Sequence, residues 1–415
     1  MKIKRKIYEK IATHLYEKEI TIITGARQVG KTTLLKQLIK DLEKKGKKTL
    51  FFNLDIQAHK RYFESQEVFV QKLQLETGKE PAFVFIDEIQ RLENAGLFLK
   101  GLYDMELPCK FVVSGSGSLE LKEKIHESLT GRKRMFEVQP VSYEEMVEYR
   151  TGYAYQGRWQ DFFELEREKT YSWLLEYLNY GGYPRIVLEP VASKKRALLD
   201  EIFHSYLERD ITFLLSLSRP DAFTLMIRLL ADKIGNPVNF SQLSSQTGLA
   251  LATLKKYLWY AEKTFIVKRV LPFFRNARKE LTRSPEIYFV DTGLRNYALN
   301  LAGRLEPPVN MGMIFENFVF NILFEKALAN NWNIKYWRSK DKAEIDFIID
   351  KGYEQIPVEV KFQDLKRTSI SRSFHSFLKK YQPARALIVN LSLETSIYAG
   401  VTKVSFIPFY RLFAE

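Results

Sequence analysis

Eight residues constrain this chain more than any others. Gly25-Ala26-Arg27-Gln28-Val29-Gly30-Lys31-Thr32 follows the apolar run ITIIT and precedes the amphipathic stretch KTTLLKQLIKDL. The pattern G-x-x-x-x-G-K-[ST] works only between a strand and a helix. Its glycines let the backbone curl until successive N–H groups face one anion, and the helix N-terminus adds partial positive charge. Lys31 is then placed to bridge the β- and γ-phosphates of a nucleotide, and the Thr32 hydroxyl to hold Mg²⁺. Gly25 through Thr33 are the candidate ATP contacts.

The runs KTLFFNLD (48–55), AFVFIDE (82–88) and KFVVSGS (110–116) read as further buried strands. Helical patterns alternate with them, which indicates a parallel sheet covered by helices. Gly46 fits the end of the helix that starts at Lys31. The strand FVFID delivers Asp87 at its C-terminal end, where a carboxylate binds Mg²⁺ directly or through water. Glu88, one residue on, is the candidate to polarise an attacking water, and the pair argues for hydrolysis beyond mere binding. Ser114 is a candidate γ-phosphate sensor if its strand lies between the other two; a plain turn is the competing reading. Arg132 and Arg134 in GRKR are either a surface cluster or a source of charge for a neighbouring copy's γ-phosphate, with Arg132 preferred.

Composition excludes several classes. Cys109 is the only cysteine among 415 residues, so no disulfide framework or thiolate-rich zinc site is available, and a reducing cytoplasm suits the chain. The five histidines lack ligand-like spacing. No stretch approaches the ~20 apolar residues of a membrane span, and the basic start lacks a signal-peptide core. The net charge of +14 is uneven: residues 1–50 carry 14 basic against 5 acidic groups, 251–300 carry 10 against 4, and 351–415 carry 10 against 5. The last two blocks point to DNA meeting the C-terminal half.

Residues 144–230 read as helices broken by GGYPR (181–185). In 237–274 a short helix, with Ser241 as its cap and an end near Gly248, precedes an amphipathic helix from about Ala252. Strand-like IVKRVLPFF and EIYFVD follow, the order of a winged helix. Lys255, Lys256, Arg275, Arg278, Lys279 and Arg283 are its phosphate-contacting candidates; such modules also bind proteins. Farther on, EIDFIID and QIPVEVKF flank the turn KGYE and are expected to pair as a hairpin that sets Asp346 beside Glu359. Glu359 and Lys361 share a strand face. Two carboxylates on Mg²⁺ with a lysine nearby are sufficient parts for phosphodiester hydrolysis, and Glu316 on the preceding helix is the candidate to complete the metal shell. Glu344 is a secondary candidate on the same face as Asp346.

These residues, with VSGSGS (113–118), LTGRKRMFEVQPVSYEE (129–145), NYGGYPRIV (179–187), YLERDI (206–211), FVDTGLRN (289–296) and FENFVFNIL, resemble a family of bacterial and archaeal AAA-type ATPases. Its members join a P-loop domain to a C-terminal domain of unknown function. The D…ExK set resembles the restriction-endonuclease-like nuclease core. The implied architecture is multidomain α/β. It comprises an AAA-like P-loop domain (1–145), a helical connector (146–220), a winged helix (221–304) and a nuclease-like domain (305–415). The expected function is ATP binding and hydrolysis controlling a Mg²⁺-dependent nuclease-like site on DNA. The alternatives are a nucleotide-dependent switch with an inactive nuclease fold, and an oligomeric ATP-driven DNA remodeller.

Overall fold

The computed structural model describes residues 2–78, 80–116, 129–205, 219–274, 283–307, 311–339, 341 and 343–413. The chain divides into two units, one of residues 1–141, 204–218 and 263–265, the other of 142–203, 219–262 and 266–415.

In the first unit, β1 (Ile20–Gly25), β2 (Lys48–Asn53), β3 (Ala82–Asp87), β4 (Cys109–Ser116) and β5 (Lys133–Val138) form one sheet. Every pairing is parallel, in the order β2-β3-β4-β1-β5. Strands covered on both faces must be apolar on both, and β1 is buried at every position. The helix Lys31–Lys44 buries Leu34, Leu35, Leu38 and Leu42. It ends where Gly46 takes a left-handed φ of 69°, and the Lys47 N–H reaches back to the Leu42 carbonyl. This order sets the C-terminal ends of β1, β4 and β3 side by side, the usual ligand edge of an open parallel sheet.

The second unit holds a mixed sheet of eight strands: β6 (Val267–Pro272), β7 (Glu286–Phe289), β8 (Asn333–Arg338), β9 (Glu344–Asp350), β10 (Gln355–Val360), β11 (Arg385–Asn390), β12 (Thr395–Ala399) and β13 (Thr402–Pro408). Their order is β12-β13-β11-β10-β9-β8-β6-β7. The helix Met311–Asn330 is apolar nearly all round, as its burial of Ile314, Phe315, Phe318, Phe320 and Leu323 requires. Among the described residues, no helix is long and apolar enough to cross a membrane.

Two sequence motifs of this unit form one buried lock. The helix Arg167–Tyr180 ends at Gly181, and Asp291 fills the space its side chain would occupy. Asp291 accepts from the Gly182 N–H at 2.7 Å and the Leu294 N–H at 2.9 Å. Asn296 donates to the carbonyls of Leu178 and Asn179 at 2.8 and 3.0 Å. A Cβ on Gly293 would lie 2.0 Å from the Tyr180 carbonyl oxygen, whereas one on Gly312 would meet nothing within 4 Å. Gly293→Ala should therefore cost at least about 2 kcal/mol of stability. Gly312→Ala, inside a helix, should be neutral or gain about 0.5–1 kcal/mol. Urea unfolding followed by circular dichroism distinguishes the two, and equal effects would refute the lock.

Candidate nucleotide site and a buried carboxylate cluster

The P-loop curls as its glycines allow. Gly30 caps the following helix with φ 99°, Gln28 takes φ 60°, and a Cβ on Gly25 would strike the Val138 carbonyl at 2.4 Å. Ala26 and Val29 are buried, Arg27 and Gln28 are half-buried, and Thr33 is exposed on the first turn, leaving its backbone to face an anion. Lys31 is buried, its ammonium donating to the carbonyls of Gly25 and Ala26 at 3.1 and 2.7 Å. Thr32 donates to Asp87 Oδ2 at 2.7 Å. Ser114, buried on β4, donates to Asp87 Oδ1, which also accepts the Glu88 N–H. Because β4 runs between β1 and β3, Ser114 occupies the position the sensor reading requires.

Glu88 sits in a left-handed conformation, φ 59°. Burial, then the neighbouring Asp87 carboxylate, raise its pKa, while the Lys31 ammonium and the Gln90 amide oppose that. A carboxylate with a raised pKa directly beside Asp87 suits general-base work. A hydroxyl, a carboxylate and a ring of loop N–H groups are hard oxygen ligands and anion donors, a set that fits Mg²⁺ and phosphate.

Two features of this site escape a reading by motif. Gln90 donates to Glu88 Oε2. Arg5 ties the P-loop to the end of β5, donating to Val29 at 3.0 Å, Gln139 at 2.6 Å and Pro140 at 3.1 Å. Arg132 lies elsewhere. It precedes β5 at the edge opposite the P-loop, paired with Asp104 at 2.8 Å. A full strand length removes it from its own nucleotide site, and the Asp104 pair is what the surface-cluster reading expects. Gly117 and Ser118 of the VSGSGS motif and residues 206–211 lie outside the described residues.

In the second unit, β9 and β10 pair as the expected hairpin, with Val358 opposite Phe347. Asp346 accepts the Val360 N–H at 2.7 Å. Lys361 pairs with Glu359 at 2.7 Å, and Ser371 donates to the other Glu359 oxygen at 3.1 Å. Glu316 accepts from the Tyr288 hydroxyl at 2.6 Å, and among the described residues no three acidic, histidine or cysteine groups are disposed to hold a metal ion. The Asp346 carboxylate acts on Glu316 through charge.

Glu286 belongs to the same cluster and escaped the sequence reading, because a charge opening the short apolar run EIYF reads as a strand end. It is buried, and it pairs with Arg338 at 3.1 Å, which also reaches Glu344 at 3.2 Å. Burial raises the Glu286 pKa to about 8; the Arg338 guanidinium pulls the other way and loses. Burial lifts Asp346 to about 7, against the Val360 N–H and with the Glu359 carboxylate. Burial, then Asp346, raise Glu316 well above the carboxylate range. Burial pulls Lys361 down, but the Glu359, Asp346 and Glu344 carboxylates together carry it above its ordinary value.

The segment before this cluster has the order of a winged helix. Helices Pro220–Asp232, Phe240–Thr247 and Leu251–Lys263 precede the antiparallel hairpin β6–β7, with Pro237 bridging to Glu286. Asn239, not Ser241, caps the second helix, accepting the Gln242 N–H at 3.0 Å, and Gly248 ends it. Leu254, Leu258 and Ala261 are buried, while Lys255, Lys256 and Arg283 are exposed. Arg275, Arg278 and Lys279 lie outside the described residues.

Residues 17–147 match a family model described as an AAA domain. Residues 171–305 and 311–410 match two models described as domains of unknown function, DUF8612 and DUF4143. An uncharacterized protein of Haemophilus influenzae is 27% identical over 356 residues, covering 83% of this chain and 82% of its own. Another from Methanocaldococcus jannaschii is 24% identical over 404 residues, covering 96% and 87%. Among solved structures, a replication initiator DnaA bound to AMPPCP and single-stranded DNA aligns over 63% of this chain and 90% of its own. That alignment is at 13% identity and a TM-score of 0.33, values that carry nothing further to this chain. The first unit is an AAA-type P-loop domain of the ATPase class.

A carboxyl whose pKa is higher in the folded chain binds its proton more tightly there, so stability declines as pH rises from its ordinary value to its folded one. Glu286 spans that interval from 4.5 to about 8. The melting temperature should fall across it, and Glu286→Gln should flatten its upper part. An unchanged slope in thermal melts at constant ionic strength would refute the protonated cluster.

Proposed function

We propose that the chain is a Mg²⁺-dependent ATPase whose nucleotide state controls a DNA-directed second unit. The observation that carries the ATPase part is the meeting of Thr32, Ser114 and Glu88 on one carboxylate, Asp87. Thr32 and Asp87 would hold Mg²⁺, which supplies charge neutralisation for the phosphates when bound. The N–H groups of Gly25 to Thr33 and the Lys31 ammonium orient the phosphates. Glu88 accepts the proton of an attacking water, and Ser114 senses the γ-phosphate through Asp87. Arg132 serves a neighbouring copy in a homo-oligomer. Lys31→Ala should abolish nucleotide binding. Glu88→Gln should retain binding and lose about 10²–10⁴-fold in turnover. ATP turnover unaffected by both substitutions would defeat the reading.

In the second unit, the helices 240–263 and the β6–β7 hairpin serve as a winged helix. Lys255, Lys256 and Arg283 supply phosphate contacts. Asp346 and Glu359 would hold Mg²⁺, which would supply charge neutralisation there, and Lys361 would stabilise charge on a bound phosphate. The adjacency of Asp346 to the Glu359–Lys361 pair supports this reading. A competing reading, a switch with an inactive nuclease fold, draws support from the Tyr288 hydroxyl on Glu316 and the protonation of the cluster. Incubation with single-stranded, duplex and branched DNA, with Mg²⁺ or Mn²⁺ and with or without ATP, separates the two. Cleavage abolished by Asp346→Ala supports the nuclease, cleavage that survives it removes the assigned site, and no cleavage of any substrate supports the switch.

A further inference from the structure

A cavity of about 790 Å³ opens in the second unit directly beyond the Glu359-Val360-Lys361 strand end. That size falls within the range of small-ligand pockets. Val360 and Lys361 form part of its wall, so it adjoins the Glu359–Lys361 pair. Its lining includes Phe163, Tyr171, Phe362, Phe409 and Tyr410. Phe163 and Tyr410 are buried and stack at 4.8 Å with an interplanar angle of 19°. The backbone beneath is pinned where the Tyr143 hydroxyl donates to the Thr170 carbonyl at 2.6 Å. At the mouth, Tyr171 is 37% exposed and lies near-parallel to Phe362, ring centroids 6.4 Å apart and planes 23° apart. Two cations line the cavity, Arg167 and Lys361. Of its two carboxylates, Asp364 is already engaged by Lys366 and Ser392.

Flat aromatic faces beside cations are what a nucleotide requires. The base stacks on the rings while the phosphate meets the ammonium and guanidinium groups. A free phosphate would not need the rings, and an apolar ligand would not need the cations. A base within a duplex is already stacked on both sides and cannot enter a walled pocket without leaving its helix. We propose that this cavity receives one unpaired nucleotide of a nucleic-acid strand, its base against Tyr171 and its phosphate toward Lys361. The substrate class of the second unit is then single-stranded or frayed nucleic acid. The inference rests on the reading of this unit as acting on nucleic acid and goes beyond it by naming the strand state.

The test uses the full chain in EDTA, so that binding is read without cleavage. Single-stranded DNA and RNA 12-mers, the matching duplex and a mononucleotide each carry 2-aminopurine, whose fluorescence is quenched by stacking. The expected result is quenching in at least one single strand, little in the duplex, and weaker binding of the mononucleotide. Tyr171→Ala should restore the fluorescence and weaken strand binding about five- to a hundredfold. Tyr171→Phe should behave as the parent chain, which separates loss of stacking from loss of fold. Quenching that survives Tyr171→Ala, equal quenching in the duplex, or a mononucleotide bound as tightly as the strand would each overturn the proposal. Cleavage that persists without Tyr171-dependent quenching defeats this pocket alone. Quenching without cleavage of any substrate defeats the nuclease reading alone.

Discussion

The first unit is organised around one carboxylate. Asp87 is 1% exposed, and a buried charge without partners costs several kcal/mol. Three donors meet that cost, and they come from three places in the chain: Thr32 after β1, Ser114 on β4 and the N–H of Glu88 after β3. They converge only if β4 inserts between β1 and β3. The strand order and the site are therefore one requirement. The same arrangement leaves Glu88, the next residue, in a strained left-handed turn whose carboxyl is raised in pKa and steadied by Gln90.

The second unit solves the opposite problem with fewer donors. Glu286, Glu316 and Asp346 crowd together, and the cations near them are Arg338 and Lys361. Burial and mutual repulsion push the group toward protonation. The Tyr288 hydroxyl on Glu316 and the Val360 N–H on Asp346 make that burial tolerable. Such a cluster would have to release protons to take up a divalent cation, which makes its occupancy sensitive to pH near neutrality.

Local pattern revealed what depends on adjacent residues. The P-loop context, the Gly46 helix end, the Asp87–Glu88 pair and the β9–β10 hairpin are each written in one contiguous stretch of sequence, and each is present. Contacts between distant segments were not legible. Arg5 reaches carbonyls of residues 29, 139 and 140, and nothing in a basic N-terminus singles it out. Glu286 joins its cluster only because β7 lies next to the Met311–Asn330 helix and β8 carries Arg338. Glu316 stands in the right neighbourhood, but its rotamer is set by Tyr288, a partner that helix periodicity does not reveal. Asn239 displaced Ser241 as a cap because either residue can start a helix and the chain's entry direction decides.

The strand β6 has two neighbours of different kinds. It pairs antiparallel with β7 and parallel with β8 through Leu271 and Lys335. The β6–β7 pair and the strands that carry the carboxylate cluster thus lie in one sheet. They cannot be exchanged between chains as separate modules: a cut near residue 304 would leave β8 as a bare edge and strip Arg338 of Glu286. A displacement of β6 reaches Asp346 on β9 across two strand spacings, about 4.8 Å each, by way of β8.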